Sequence, residues 1–193
     1  MIDRRKFIKA GALAGIGISM VNSGIAATMS SFASPGKKVG IIGLDTSHSI
    51  AFTKALNATD AGDAFYGYKV VTAYPHGSLD IPSSVERIEG YTSQMQEMGV
   101  TITGSVEDLL TKVDVVLLET NDGRRHLEQA LPVLKAGKRM FIDKPMAASL
   151  ADAMVILDAA KEYGISVFSA SSLRYIQGMD EVKSGAVGKV LGA

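Results

Sequence analysis

The chain has 193 residues, with 20 basic and 20 acidic side chains and a formal net charge of zero. That balance gives no electrostatic footing for nucleic acid or for an anionic membrane surface. Cysteine is absent, which excludes disulfides and thiolate metal sites, and His48, His76 and His126 are too scattered to present a metal-ligand spacing, so no metal is expected.

The first 33 residues read as an export segment and not as part of the fold. Residues 3–9, with Arg4-Arg5, resemble a twin-arginine signal, residues 10–27 are mildly apolar, and Ser31-Phe32-Ala33 is a small-x-small cleavage site before Ser34. Ser19, Asn22, Ser23, Gly11, Gly15, Gly17 and Gly24 make this stretch a poor permanent membrane span. The resemblance implies a periplasmic protein exported already folded.

From residue 34 onward, β-rich runs alternate with helical stretches six times. The strand candidates are 38–43, 68–74, 100–103, 114–119, 139–143 and 165–170. Several are continuous apolar runs, such as Val113, Val115, Val116, Leu117 and Leu118, the pattern of strands covered on both faces. Ser105 with Asp108 and Ser149 with Asp152 are capping-box patterns that open helices. Leu127, Ala130, Leu131 and Leu134 share a helical face that Gly137 ends, and Gly164 ends the following helix. Alternation of this kind predicts an α/β fold, a doubly wound parallel sheet in the order 3-2-1-4-5-6 over residues 34–172. Residues 173–193 read as the start of a second α/β domain that the chain does not complete.

The turn after the first strand reads Gly43-Leu44-Asp45-Thr46-Ser47-His48, where a dinucleotide-binding loop belongs. Only the first of three glycines, Gly43, is present. Asp45 takes the second position and His48 the third. A carboxylate ~4 Å from a phosphate would cost about 4 kcal/mol at an effective dielectric near 20, roughly a thousandfold in binding. The helix N-terminus and the hydroxyls of Thr46, Ser47 and Ser49 offer compensation. Alternatively, Asp45 or Thr46 simply caps the helix. The second strand ends Tyr74-Pro75-His76-Gly77, without the acid that holds a ribose hydroxyl pair.

Later residues carry more of the chemistry. Glu119-Thr120-Asn121-Asp122-Gly123 follows the fourth strand at its C-terminal end, where ligands bind in this architecture. His126 opens the next helix, either as a ligand contact or as a packing histidine. Arg124 and Arg125 suit surface ion pairs better than an anionic substrate. Asp143-Lys144-Pro145 ends the fifth strand, with Pro145 fixing the backbone. Lys144, partly withdrawn from water at the crevice, suits proton exchange with a substrate hydroxyl.

Taken jointly, these segments resemble the Gfo/Idh/MocA oxidoreductases, from about Lys38 to Lys189. The stretch His126 to Pro145, HLEQALPVLKAGKRMFIDKP, is similar to the family block that runs from a histidine through an AGK to EKP. The resemblance implies NAD or NADP as cofactor and a sugar, inositol or related alcohol as the small-molecule substrate. It carries the family's lysine onto Lys144, as the catalytic residue, and its preceding acid onto Asp143. The expected cofactor-binding set is Gly43, Leu44, Asp45, Thr46, Ser47, Asn121, His126, Asp143 and Lys144. Homo-oligomerisation is compatible with the sequence. The damaged glycine loop keeps a second reading open, a non-redox carbohydrate-binding or carbohydrate-processing protein on the same scaffold.

Overall fold

A computed structural model describes residues 38–189 and Leu191. The export segment expected over residues 1–33, and the strand expected to begin at Val190, lie outside the described residues. Six strands form one parallel sheet: β1 (Lys38–Ile42), β2 (Lys69–Tyr74), β3 (Thr101–Ile102), β4 (Val115–Leu118), β5 (Arg139–Asp143) and β6 (Val167–Ala170), in the order β3-β2-β1-β4-β5-β6. This is the predicted doubly wound order. β5 matches its predicted range; the other strands are one or two residues shorter than predicted, and in β3 only Thr101 and Ile102 pair with β2.

The crossovers carry α1 (Ser47–Asn57), α2 (Pro82–Glu97), α3 (Val106–Leu110), α4 (His126–Lys135) and α5 (Leu150–Glu162), and α6 (Met179–Ser184) follows β6. Side chains alternate across the sheet, so Ile41 and Ile42 enter different cores. Ile42, Leu118, Met140 and Ile142 pack with Leu109, Val133, Leu134 and Ile156 under α3, α4 and α5. Val39, Ile41, Val70 and Ala73 pack with Ile50 of α1 and Met95 of α2.

Both predicted capping boxes form, at least on one arm. Ser105 Oγ accepts from the Asp108 amide and Ser149 Oγ from the Asp152 amide, each at 3.0 Å. The stripe of α4 differs from the predicted one. His126, Gln129, Ala130, Val133 and Leu134 are its buried residues, and Leu127 packs on the flank. Two polar side chains thus sit where an apolar count had placed Leu127 and Leu131, because the helix is rotated to deliver His126 to the loop before it.

Candidate functional site

Strands β1, β4 and β5 end side by side. Ile42 pairs with Leu118, and Leu118 with Ile142, so the chain continues into Gly43, Glu119 and Asp143 at one edge of the sheet. That edge is the point where the strand order reverses, the ligand crevice of such folds.

Gly43 makes the first turn at φ +92°, and a Cβ there would lie 2.4 Å from the Thr120 amide nitrogen. Only glycine accommodates both the angle and the approach. The Gly43 and Leu44 amides donate to the carbonyls of Tyr74 and Pro75 at 2.9 and 3.4 Å. The Leu44 side chain is buried in the core, so only its backbone belongs to the turn's surface. Thr46 is the N-cap of α1, its hydroxyl accepting from the His48 amide at 3.4 Å, and Ser47 is exposed at the helix start.

Asp45 does not face outward. It is fully buried, with one carboxylate oxygen accepting from Ser84 Oγ at 2.9 Å and the other from the Asn121 amide at 3.0 Å. Ser84 lies in the first turn of α2, where the helix dipole favours a negative charge. Gly77 closes over it: a Cβ there would lie 2.4 Å from Asp45 Oδ2. The expectation that Asp45 touches the cofactor is corrected on this ground. Its carboxylate ties the β1 turn to α2 and to the end of β4.

Four chemically active side chains meet beyond this turn. His48 Nδ1 lies 2.7 Å from Asp143 Oδ2. Asp143 is buried, and its other oxygen accepts the Lys144 amide at 2.8 Å. Lys144 Nζ stands 3.5 Å from Asp143 Oδ2, with its side chain half exposed. Glu119, directly after β4, is fully buried, and neither of its carboxylate oxygens has a hydrogen-bond partner among the described residues. Burial pushes its carboxyl well above the usual range, and the charge of Asp143 adds to this while Lys144 opposes it. One donor atom from each of His48, Glu119 and Asp143 can be chosen so that all three lie within 4.8 Å of one another.

A second polar group lies on the outer side. Arg124 forks onto Asp122 through Nε and Nη2 at 3.0 and 2.7 Å and onto Asp80 at 2.9 and 3.0 Å. Ser78 Oγ is 2.7 Å from both Asp80 and Asp122, close enough to donate to either. Arg124 holds the Asp122 carboxyl far below the usual carboxylate range; burial opposes the shift and Ser78 adds to it. Arg125 pairs with Glu128 at 2.7 Å. Both arginines therefore form ion pairs, as their position suggested.

His126 is not available to a ligand. It is fully buried, with Nε2 2.7 Å from the Thr120 carbonyl and Nδ1 3.2 Å from the Met146 carbonyl. The expectation that it binds cofactor is corrected by this burial: the ring sits between the Thr120 and Met146 carbonyls, the shorter contact being to Thr120, and bridges the loops after β4 and β5. Asn121 has an exposed side chain at the crevice. The roles of His48 and Glu119 escaped sequence reasoning. His48 was read only as a replaced glycine, and its partner Asp143 is 95 residues away. The signal for Glu119 was an acid placed directly behind a wholly apolar strand.

The profile of the oxidoreductase family with an NAD-binding Rossmann fold matches residues 37–171. The chain belongs to the Gfo/Idh/MocA oxidoreductase family. It is 32% identical over 117 residues to a 1,5-anhydro-D-fructose reductase of Ensifer adhaerens, covering 58% of this chain and 34% of that protein. It is 27% identical over 123 residues to an inositol 2-dehydrogenase/D-chiro-inositol 3-dehydrogenase of Lactiplantibacillus plantarum, covering 59% and 35%. Among solved structures, an apo scyllo-inositol dehydrogenase from Lactobacillus casei superimposes with a TM-score of 0.57 at 18% identity, over 79% of this chain and 43% of that one. The chain spans about a third of the length of the curated relatives it matches.

The cofactor class of this Rossmann domain is NAD or NADP. The residues present fit it at the turn: Gly43 makes the tight turn that packs against Thr120, the N-terminus of α1 offers donors, and the Asp45 charge is turned inward. The far end of the cradle departs from the common pattern. The Tyr74 ring stacks on His76 at 5.8 Å, and no carboxylate follows β2 in the turn from Pro75 to Ser78. Among the described residues, no helix is long and apolar enough to cross a membrane.

Proposed function

We propose that this domain is the nucleotide-binding half of an NAD(P)-dependent oxidoreductase that acts on a sugar, inositol or related alcohol. The observation that carries this reading is Lys144, half exposed at the end of β5, with its ammonium 3.5 Å from buried Asp143 and Asp143 in turn bonded to His48. Gly43 and the N-terminus of α1 hold the pyrophosphate, and bound NAD(P) supplies the hydride acceptor. Lys144 orients the substrate hydroxyl and relays its proton. Asp143 fixes the lysine.

The test uses the complete protein with NAD or NADP and a panel of polyols and sugars, followed by nicotinamide absorbance. Turnover of any panel member that is lost on Lys144→Met supports the reading. Absence of nucleotide binding in calorimetry favours the second one, a carbohydrate-binding or carbohydrate-processing protein. The observation favouring that alternative is a turn with one glycine, two of whose amides already serve Tyr74 and Pro75. We further propose periplasmic export by the twin-arginine route, motivated by Arg4-Arg5 and the small-residue site before Ser34. Replacing both arginines with lysine should leave precursor in the cytoplasm, and a normal periplasmic yield would end that proposal.

A further inference from the structure

We propose that His48, Glu119 and Asp143 form a binding site for a divalent first-row cation of the Mn²⁺ or Zn²⁺ kind at the crevice edge of the sheet. Two independent observations converge on it. One is the meeting of three donors, an imidazole nitrogen and two carboxylates, from three separate segments: the start of α1, the end of β4 and the end of β5. The other is Glu119 itself, fully buried with both oxygens lacking a hydrogen-bond partner among the described residues. Buried carboxylates are paired, hydrogen-bonded or bound to metal, and an orphan is costly.

The donor chemistry sets the class of ion. A single imidazole with two carboxylates and no thiolate suits borderline or hard first-row ions, and the imidazole argues against Ca²⁺ and Mg²⁺ as the preferred occupants. Two donors on one such ion, each at ~2.1 Å, stand about 3.0–3.4 Å apart. The observed 2.7 Å between His48 and Asp143 is close to that, and a donor oxygen of Glu119 lies within 4.8 Å of both. Charge also balances. The cluster holds two carboxylates, and its nearest cation, Lys144, stands 3.5 Å from Asp143 on the exposed side. Three protein ligands leave further positions open for oxygen ligands such as water or a substrate hydroxyl. This site goes beyond the proposed oxidoreductase activity and needs no hydride transfer.

The experiment takes the full chain, strips it with chelator, and titrates Mn²⁺ with the free ion followed by electron paramagnetic resonance, and Zn²⁺ by calorimetry. The expected result is one ion per chain, bound with Kd below ~100 μM, and a melting temperature that rises on loading. Glu119→Gln keeps the shape of the side chain and removes a ligand charge; it should weaken binding at least tenfold and abolish the rise in melting temperature. His48→Ala removes the imidazole ligand from a partly exposed position on α1 and should weaken binding to the same degree, with folding of the metal-free variant checked by circular dichroism. The proposal fails if neither ion binds with one-to-one stoichiometry below ~1 mM. It fails equally if both variants bind as the parent does, which would place the ion elsewhere.

Discussion

The two polar clusters at the crevice edge each set carboxylates beside a cationic side chain and differ in how completely they are paired. In the outer cluster, Ser78, Asp80, Asp122 and Arg124 bond to one another by charge-assisted hydrogen bonds within 3.0 Å. In the inner cluster, His48 meets Asp143 at 2.7 Å, but Glu119 has no hydrogen-bond partner among the described residues and Lys144 meets Asp143 only at 3.5 Å. A satisfied network fixes loops; a buried group left unsatisfied needs another explanation. The outer cluster joins the loop after β2 to the loop after β4. The inner one sits at the switch-point crevice where ligands bind in this fold class, and the chemistry we propose is placed there.

The largest effect that sharpens this contrast belongs to Lys144. Its half-exposed side chain contributes little to stability, because an exposed pair is worth about 0–1 kcal/mol. Lys144→Met in the complete protein should lower kcat by at least about a hundredfold while the melting temperature hardly moves. Full activity would remove Lys144 from the mechanism, and unfolding would make the inner cluster structural like the outer one.

Next in size is Asp122. It is buried and accepts from Ser78, from the Arg124 amide and from the Arg124 guanidinium. Asp122→Ala strands those donors and should destabilise the fold by about 2 kcal/mol, read by denaturant melts, with no specific loss in the chemical step. Asp45→Gly should behave similarly, losing about 1–3 kcal/mol because Ser84 and the Asn121 amide lose their acceptor. It should not tighten NAD(P), since the carboxylate already points away from the turn's surface. A tenfold gain in affinity by calorimetry would show that the charge does reach the pyrophosphate.

Much of this was legible in the sequence. The strand order, both capping boxes and the placement of Lys144 at the end of a strand follow from apolar runs, Ser-x-x-Asp spacing and the proline after the lysine, all local signals. What was not legible depends on pairs distant along the chain. Asp45 reads as a damaged glycine because its partner Ser84 is 39 residues away. His126 reads as a ligand because a carbonyl 20 residues on occupies its Nδ1. Glu119 carried a signal, an acid behind an apolar strand, but sequence does not say whether such an acid finds a partner.

The smallest effect tests the outer cluster through pH. Arg124 holds Asp122 below the ordinary carboxylate value in the folded state, against an unfolded value near 3.9. A folded value below the unfolded one means the charged form is the better bound. Its contribution is fully present above the unfolded value and is lost as pH falls toward the folded one. Asp80 is shifted the same way by Arg124 and Ser78 but is exposed, so solvent screens most of its share. Melting temperatures between about pH 6 and pH 3 should therefore fall more steeply in the parent than in Asp122→Asn, which has no proton to take up there. Salt should leave the Asp122 part nearly intact and erase the Asp80 part, because screening acts on exposed pairs. Parallel acid curves for parent and variant would mean that the outer cluster contributes no net electrostatic stability. Its difference from the inner cluster would then rest on hydrogen-bond geometry alone.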